Sequence, residues 1–152
     1  MAVLVAAACG GGGDARLSKA EYVKKANAIC EAGNARTSRV APPSLADSAA
    51  VERAIGEMVS IQGRALRKLR DLDPPEQDQL GVDEWLMRVG QTLDQMDAVR
   101  QAVGDGNATA IEQANAKGAE LNDEAETFAD AYGLESCSTA TEEVVATPPL
   151  RP

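Results

Sequence analysis

Histidine is absent from this chain of 152 residues. It is the commonest general base near neutral pH and a common ligand of transition metals. Without it the chain forms neither a Ser-His nor a Cys-His nucleophile pair, nor the Glu-x-x-His motif of di-iron helical bundles. An enzyme of this composition would rely on carboxylates alone, as glycosidases can. We therefore predict a protein that is not an enzyme and that holds no cofactor and no metal ion.

Aromatic side chains and positive charge are also scarce. The chain has one Trp, one Phe and two Tyr, and its net charge is −9. Nucleic acids and anionic membrane surfaces both attract clustered Lys and Arg, so we expect no nucleic-acid partner. Alanine, the best helix former, is abundant instead, and runs of β-branched residues are few. This composition predicts an all-α fold.

The N-terminal residues contain an apolar run that is too short to span a bilayer. It ends in Ala6-Ala7-Ala8-Cys9, which resembles a bacterial lipobox. The resemblance implies that residues 1–8 are the remnant of a signal peptide and that Cys9 is lipidated. Because no Lys or Arg precedes Cys9, we expect the true start to lie upstream of Met1. The glycines after Cys9 would make residues 9–16 a flexible linker between the anchor and a folded domain.

The three cysteines are Cys9, Cys30 and Cys137. If Cys9 carries a lipid, the other two form an even pair that can become a disulfide, a bond typical of oxidising compartments. Such a bridge would close a loop of about 100 residues and contribute up to about 4.7 kcal/mol in the chain-entropy model. The alternative is two unpaired thiols in the core. The pair favours an extracytoplasmic location in a bacterial cell envelope, with the membrane as partner through Cys9.

Four segments carry apolar residues at helical spacing. They cover residues 18–39, 45–72, 76–103 and 108–132, and two Pro-Pro pairs and a Gly-rich turn separate them. Amphipathic helices with short connections are typical of an antiparallel bundle. We predict an antiparallel four-helix bundle over residues 17–138, with one disulfide joining helix one to the segment after helix four. Residues 139–152 are rich in Ser, Thr, Glu and Pro and are expected to form a disordered tail.

The packing of helix four on helix one raises a geometric question. Ala114 and Gly118 are small, so we expect them to let helix four approach helix one closely. In a simple antiparallel pair, the end of helix four lies beside the start of helix one, and Cys30 lies about 18 Å further along. Either residues 133–137 run back along helix one, or helix one crosses at a steep angle.

Four asparagines lie beside the apolar stripes in two pairs spaced seven residues apart. Asparagine is a poor residue for a helix interior, so these positions need an explanation. They could form interhelical hydrogen bonds that fix the register, as a buried asparagine does in coiled coils. They could instead line a polar ligand pocket between helices one and four. The four residues are Asn27 and Asn34 in helix one and Asn115 and Asn122 in helix four.

Several short motifs together resemble small actinobacterial lipoproteins of unassigned function. They are the Ala-Cys lipobox, Asn27-Ala28-Ile29-Cys30, Leu72-Asp73-Pro74-Pro75 and Tyr132-Gly133-Leu134 before Cys137. The similarity covers roughly residues 9 to 138. It implies a lipid anchor and a Cys-Cys bridge, and it names no active residue.

Two functions are compatible with these features. The first is a non-catalytic binding or interaction module of the cell envelope, whose partner is a protein, a cell-wall polymer or a small molecule. The second is a carrier of a small apolar or amphipathic ligand inside the helical bundle. A carrier requires a pocket of a few hundred Å3 between the helices, and this requirement separates the two.

Overall fold

The computed structural model describes residues 16–138. Its helices are α1 (Lys19–Thr37), α2 (Ser48–Arg70), α3 (Gln79–Gly104), α4 (Ala108–Tyr132) and a short α5 (Glu135–Ser138), with a 3-10 turn at Glu76–Asp78 before α3. The all-α prediction and the four long helices are confirmed, and residues 16–138 contain no strand. The predicted lipidation site Cys9, the remnant 1–8, residues 9–15 of the linker and the tail 139–152 lie outside the described residues.

Side chains that bind exposed backbone groups set the helix ends. Ser18 and Glu21 form the expected capping box at the start of α1, where the Glu21 backbone N–H donates to Ser18 Oγ over 3.3 Å. The hydrogen bonds from Ser18 lower the pKa of Glu21. Asp47 accepts from the backbone N–H of Ala50, so α2 begins three residues later than the expected Leu45. Each cap satisfies a donor that the helix itself leaves unpaired.

Helices α2, α3 and α4 form one antiparallel layer. A Cβ built at Gly118 of α4 would lie 3.4 Å from Gln95 of α3, and one built at Gly81 of α3 would lie 3.0 Å from Phe128 of α4. The expectation that Gly118 approaches helix one is therefore wrong. The reason is the position of α5, which packs against both α1 and α4. Helix α1 meets α4 at its C-terminal end, where Tyr22 contacts Tyr132.

Helix α1 covers one half of this layer. The backbone N–H of Leu17 donates to Asp73 O over 2.9 Å, just beyond the end of α2. Further along, a Cβ at Gly33 would lie 3.4 Å from Ala65 Cβ. The chain then turns away after Thr37, so the N-terminal part of α2 is not covered by α1.

The half of the bundle beneath α1 is tightly packed, and we call it the closed half. Tyr22, Val82 and Leu134 are completely buried there. The rings of Phe128 and Tyr132 stack with centroids 5.3 Å apart, and Tyr22 meets Tyr132 edge to face at 6.1 Å. The residues of the closed half are Tyr22, Ala26, Cys30, Leu66, Leu69, Val82, Trp85, Leu86, Ala125, Ala129 and Leu134.

The two tyrosine hydroxyls of the closed half differ. Tyr132 donates to Asp78 Oδ2 over 2.7 Å, whereas the buried Tyr22 hydroxyl makes no hydrogen bond within residues 16–138. Burial raises the pKa of Tyr22 to about 12, with a smaller contribution from the charge of Asp83. Burial, and then the bond to Asp78, raise the pKa of Tyr132 as well.

Residues 133–138, which we call the return segment, run back along α1. Gly133 ends α4 in the left-handed conformation, with φ of +94°, as a C′ glycine does. Cys30 and Cys137 form the disulfide with their Cα atoms 5.1 Å apart, within the usual range. The predicted bridge between helix one and the segment after helix four is confirmed. Of the two routes considered for residues 133–137, the chain takes the one along helix one.

Candidate ligand cavity

The half of the bundle that α1 leaves uncovered is its open half. Its apolar side chains belong to the stripes predicted for helices two and three, yet they are only half-buried: Val51, Ile55 and Met58 of α2, and Met96 and Val99 of α3. Between them lies a cavity of about 380 Å3. This volume is within the range of small-molecule sites in proteins.

Apolar side chains make most of the cavity wall. They extend from the open half down to Leu69 and Trp85, which are buried and belong to the closed half. The disulfide partners Cys30 and Cys137 also border the cavity, so the return segment forms part of its floor. The apolar lining is Val51, Ala54, Ile55, Met58, Ala65, Leu66, Leu69, Trp85, Val89, Leu93, Met96, Val99 and Ala125.

A group of polar side chains, which we call the polar layer, interrupts this wall. In α2 the order is Val51, Ile55, Met58 and then Gln62, so the amide lies one turn beyond the apolar residues of the open half. The polar layer consists of Asn34, Thr37, Gln62, Thr92, Asn122 and Glu126.

Hydrogen bonds hold the polar layer in place. Gln62 Nε2 donates to Thr37 Oγ1 over 3.2 Å, which joins α2 to α1. Thr92 is buried and donates to the carbonyl of Arg88 in its own helix over 3.1 Å. Thr37 also donates to the carbonyl of Gly33 in its own helix over 3.2 Å. A hydroxyl oxygen can accept two hydrogen bonds, so Thr37 and Thr92 both keep acceptor capacity.

The polar layer carries one formal charge. Glu126 Oε1 accepts from Asn122 Nδ2 over 2.8 Å. Among the described residues that line the cavity, Glu126 is the only charged side chain, and none is Lys or Arg. The lining contributed by residues 16–138 therefore consists mainly of apolar side chains and neutral hydrogen-bonding groups, with Glu126 as its one carboxylate.

The asparagine pairs do not act as one unit. Asn34, Asn115 and Asn122 all border the cavity, although Asn115 is exposed. Asn27 does not border it: its side chain donates to Gly133 O and accepts from Ser136 N, both over 3.0 Å. Asn34 donates to Ser136 O over 2.9 Å. The helix-one asparagines thus hold the return segment by its backbone, an arrangement that neither sequence interpretation anticipated.

Other lining residues were not singled out by the sequence. Thr92 looks like an ordinary helix residue, and the one available signal is spacing, since Thr92 is three residues from Val89 and four from Met96. Pro43 and Leu45 border the cavity from the connection between α1 and α2. Leu45 is 69% exposed, and it marks the mouth of the cavity.

Arg100 forms ion pairs beside the cavity, one of which joins α3 to α2. Arg100 of α3 donates to Asp97 over 2.7 Å and to Glu52 of α2 over 3.0 Å. The hydrogen bond from Arg100 is the main cause that lowers the pKa of Asp97. The contact with Asp97 lies within α3, whereas the contact with Glu52 joins α2 to α3 in the open half.

A second concavity lies on the outer face of α2 and α3. It is larger, about 1050 Å3, but charged and exposed side chains such as Arg67, Arg70, Asp83 and Asp94 line it. Such a surface groove removes little of a small ligand from water, so the inner cavity is the better candidate site. Within residues 16–138 no group of three His, Cys, Asp or Glu side chains is placed to hold a metal ion, and no helix there is long and apolar enough to cross a membrane.

Compared with known proteins, the chain matches no family model, no curated protein and no solved structure.

Proposed function

We propose that this chain is a lipid-anchored protein of a bacterial cell envelope that binds a small amphipathic molecule in the cavity of its open half. The cavity of about 380 Å3 carries the proposal. A bundle that served only as a rigid interaction module would gain stability by filling this space, since each buried apolar methylene contributes about 0.8 kcal/mol. Leaving the apolar side chains of the open half only half-buried costs stability, and an apolar ligand in the cavity would offset that cost.

The proposed location in the cell envelope has separate support. The disulfide between Cys30 and Cys137 suits an oxidising compartment outside the cytoplasm. The lipobox resemblance around Cys9 and the glycines that follow suit a domain tethered to a membrane. A tethered carrier would take up its ligand at or near the bilayer.

The test of binding is native mass spectrometry of the full-length protein purified from its own membranes. We expect a retained small molecule, and we expect the emptied protein to take up N-phenyl-1-naphthylamine, an uncharged apolar dye that is smaller than the cavity. Ala54→Phe would fill the cavity, because Ala54 is buried and lines it. Ala49→Phe is the matched control, since Ala49 is exposed in the same helix.

The carrier proposal fails if the wild type retains no molecule and takes up no dye, or if both variants bind equally well. The same sample also tests the proposed lipid-anchored location in the cell envelope. A lipid mass on Cys9 supports it, and an unmodified Cys9 in protein from native membranes refutes it.

A further inference from the structure

We propose that the outer face of α1 and α2 binds the surface of an anionic phospholipid bilayer, so that the bundle lies with this face on the membrane. The surface is separate from the cavity, and its binding to lipid does not depend on whether the cavity takes up a ligand. It consists of four exposed cations, which we call the basic face: Arg36 of α1 and Arg64, Arg67 and Lys68 of α2.

A shallow depression between α1 and α2 brings these cations together. Arg36, Arg64 and Lys68 border it, and its volume is about 180 Å3. Arg67 follows Arg64 by three residues and therefore lies on the same side of α2. The side chains of the floor are shorter than Arg or Lys, so a flat lipid surface can approach the cations. They are Ala28, Ile29, Ala32, Ile61 and Ala65.

The net charge of −9 hides a separation of charge between the helices. Helices α1 and α2 together contain nine Lys or Arg and four Asp or Glu, whereas α3 and α4 contain three and ten. A negatively charged bilayer is attracted by a local excess of cations, whatever the total charge of the chain. Among the four long helices, only α1 and α2 have that excess.

The cations on the two sides of the bundle also differ in their partners. The three cations of α3 and α4, which are Arg88, Arg100 and Lys117, all form ion pairs with carboxylates. None of the nine cations of α1 and α2 forms an ion pair within residues 16–138. In the described part of the chain, the charges of the basic face are therefore available to an external anion.

Two of the four carboxylates of α1 and α2 are distant from the basic face or already paired. Glu21 precedes Arg36 by fifteen residues, which places it roughly 22 Å away along α1, and it accepts hydrogen bonds from Ser18. Glu52 pairs with Arg100 of α3 over 3.0 Å. Neither carboxylate lies among the four cations.

The other two carboxylates, Glu31 and Glu57, lie outside the basic face as well. Ile29 of α1 lines the depression shared with α2, and Glu31 is two residues further, about 200° around the helix. It therefore lies on the opposite side of α1. Glu57 precedes Arg64 by two turns of α2, which is roughly 10 Å along the helix axis, so it marks one edge of the basic face.

The carboxylates of α4 are too distant to cancel the attraction. Six of the ten carboxylates of α3 and α4 belong to α4, and α3 lies between α4 and α2 in the layer. A helix is roughly 10 Å across, whereas the Debye length at physiological ionic strength is about 8 Å. Salt therefore screens the repulsion from α4 more strongly than the attraction of cations that meet the lipid surface.

The position of the N-terminal chain is compatible with this orientation. The backbone N–H of Leu17 donates to Asp73 O, so the described chain begins beside the C-terminal end of α2, where Lys68 lies. The seven residues from Cys9 to Arg16 can span at most about 25 Å. If Cys9 carries the lipid proposed above, this length allows the anchor and the basic face to reach the same bilayer.

The experiment measures co-sedimentation with two kinds of vesicle, one of phosphatidylcholine alone and one that also contains about 30% phosphatidylglycerol. The protein is the full chain with Cys9→Ser, which cannot be acylated, so a lipid anchor makes no contribution. At about 0.1 M salt we expect at least tenfold stronger binding to the anionic vesicles. This binding should fall at least fivefold at about 0.5 M salt, because salt screens the attraction.

Two double variants with the same total charge assign the binding to the basic face. Arg64→Gln/Lys68→Gln should weaken binding to the anionic vesicles at least tenfold, since each basic residue near such a surface contributes about fivefold. Arg88→Gln/Lys117→Gln removes two cations from α3 and α4 and should leave the binding within twofold. Circular dichroism checks that both variants keep the helical fold.

Three results would overturn the proposed membrane surface. Equal binding to the two kinds of vesicle would show that charge does not drive it, and equal losses in the two double variants would show that the basic face is not the contact. Absence of binding to either vesicle would exclude a bilayer, and binding of soluble polyphosphate in that case would identify a polymer as the partner. The dye test of the cavity and the mass of Cys9 are separate measurements, so failure here is distinguishable from failure of the proposed function.

Discussion

The closed half and the open half of the bundle share α2, α3 and α4 but differ in what covers them. In the closed half, α1 and the return segment seal the layer and bury Tyr22, Val82 and Leu134 completely. In the open half, the same apolar periodicity continues in Val51 and Val99, and α1 does not extend over them. The contrast shows that the packed core is concentrated at one end of the bundle, and that the other end leaves space between its helices.

Of the features that distinguish the closed half, the disulfide between Cys30 and Cys137 should contribute most to the free energy of unfolding. Replacing both cysteines in Cys30→Ser/Cys137→Ser should reduce the free energy of unfolding by about 2–5 kcal/mol, because the bridge closes a long loop in the unfolded chain. Urea denaturation measures the loss. A reducing agent should destabilise the wild type to a similar extent and leave the double variant unchanged. Equal stability of all the samples would show that the closed half does not depend on the bridge.

Replacing one valine of α3 by alanine in each half compares the packing of the two halves directly. Val82 is completely buried in the closed half, whereas Val99 is half-buried at the cavity. We expect Val82→Ala to cost about 2 kcal/mol of unfolding free energy, since it leaves a void in a packed core. Val99→Ala should cost less than about 1 kcal/mol, because the site is already open. Equal losses would mean that the two halves are packed alike.

Replacing asparagines by alanine tests what holds the return segment against α1. Asn27 makes two hydrogen bonds to its backbone, at Gly133 and Ser136, so Asn27→Ala should cost about 1–3 kcal/mol by leaving these groups unsatisfied. Asn115 is exposed, and Asn115→Ala should change the midpoint of urea unfolding very little. A neutral Asn27→Ala would show that the disulfide alone holds the return segment.

Replacing either tyrosine of the closed half by phenylalanine should change the free energy of unfolding least. Tyr132→Phe removes the hydrogen bond to Asp78 and should cost about 1 kcal/mol. Tyr22→Phe removes a buried hydroxyl that has no partner in residues 16–138, so stability should stay the same or rise, as measured by thermal unfolding. A loss of 1 kcal/mol or more for Tyr22→Phe would contradict this description of the closed half.

Local signals in the sequence predict the helices well. The capping box at Ser18, the break at Pro74-Pro75 and the terminal Gly133 each act within a few residues, so they can be identified without the fold. The start of α2 was expected at Leu45 and lies at Ser48, because Asp47 rather than an earlier residue caps it.

Which helices are neighbours was harder to predict. The sequence placed Gly118 against helix one, but it faces Gln95 of α3. Small size shows that a residue permits close approach and does not show which helix approaches. The cavity could not be predicted for a related reason: Met58 and Met96 have the spacing of core residues, and their half-burial depends on the path of α1, which leaves this part of the bundle uncovered.

The length of the loop that the disulfide closes also fixes an order in time. Cys30 and Cys137 are 107 residues apart, so Cys30 emerges early in synthesis and has no correct partner until almost the whole domain has been made. The layer of α2, α3 and α4 has all of its residues before that moment. The covalent bond therefore cannot form before nearly the whole domain has been synthesised, and a chain that stops before Cys137 leaves Cys30 without its disulfide partner.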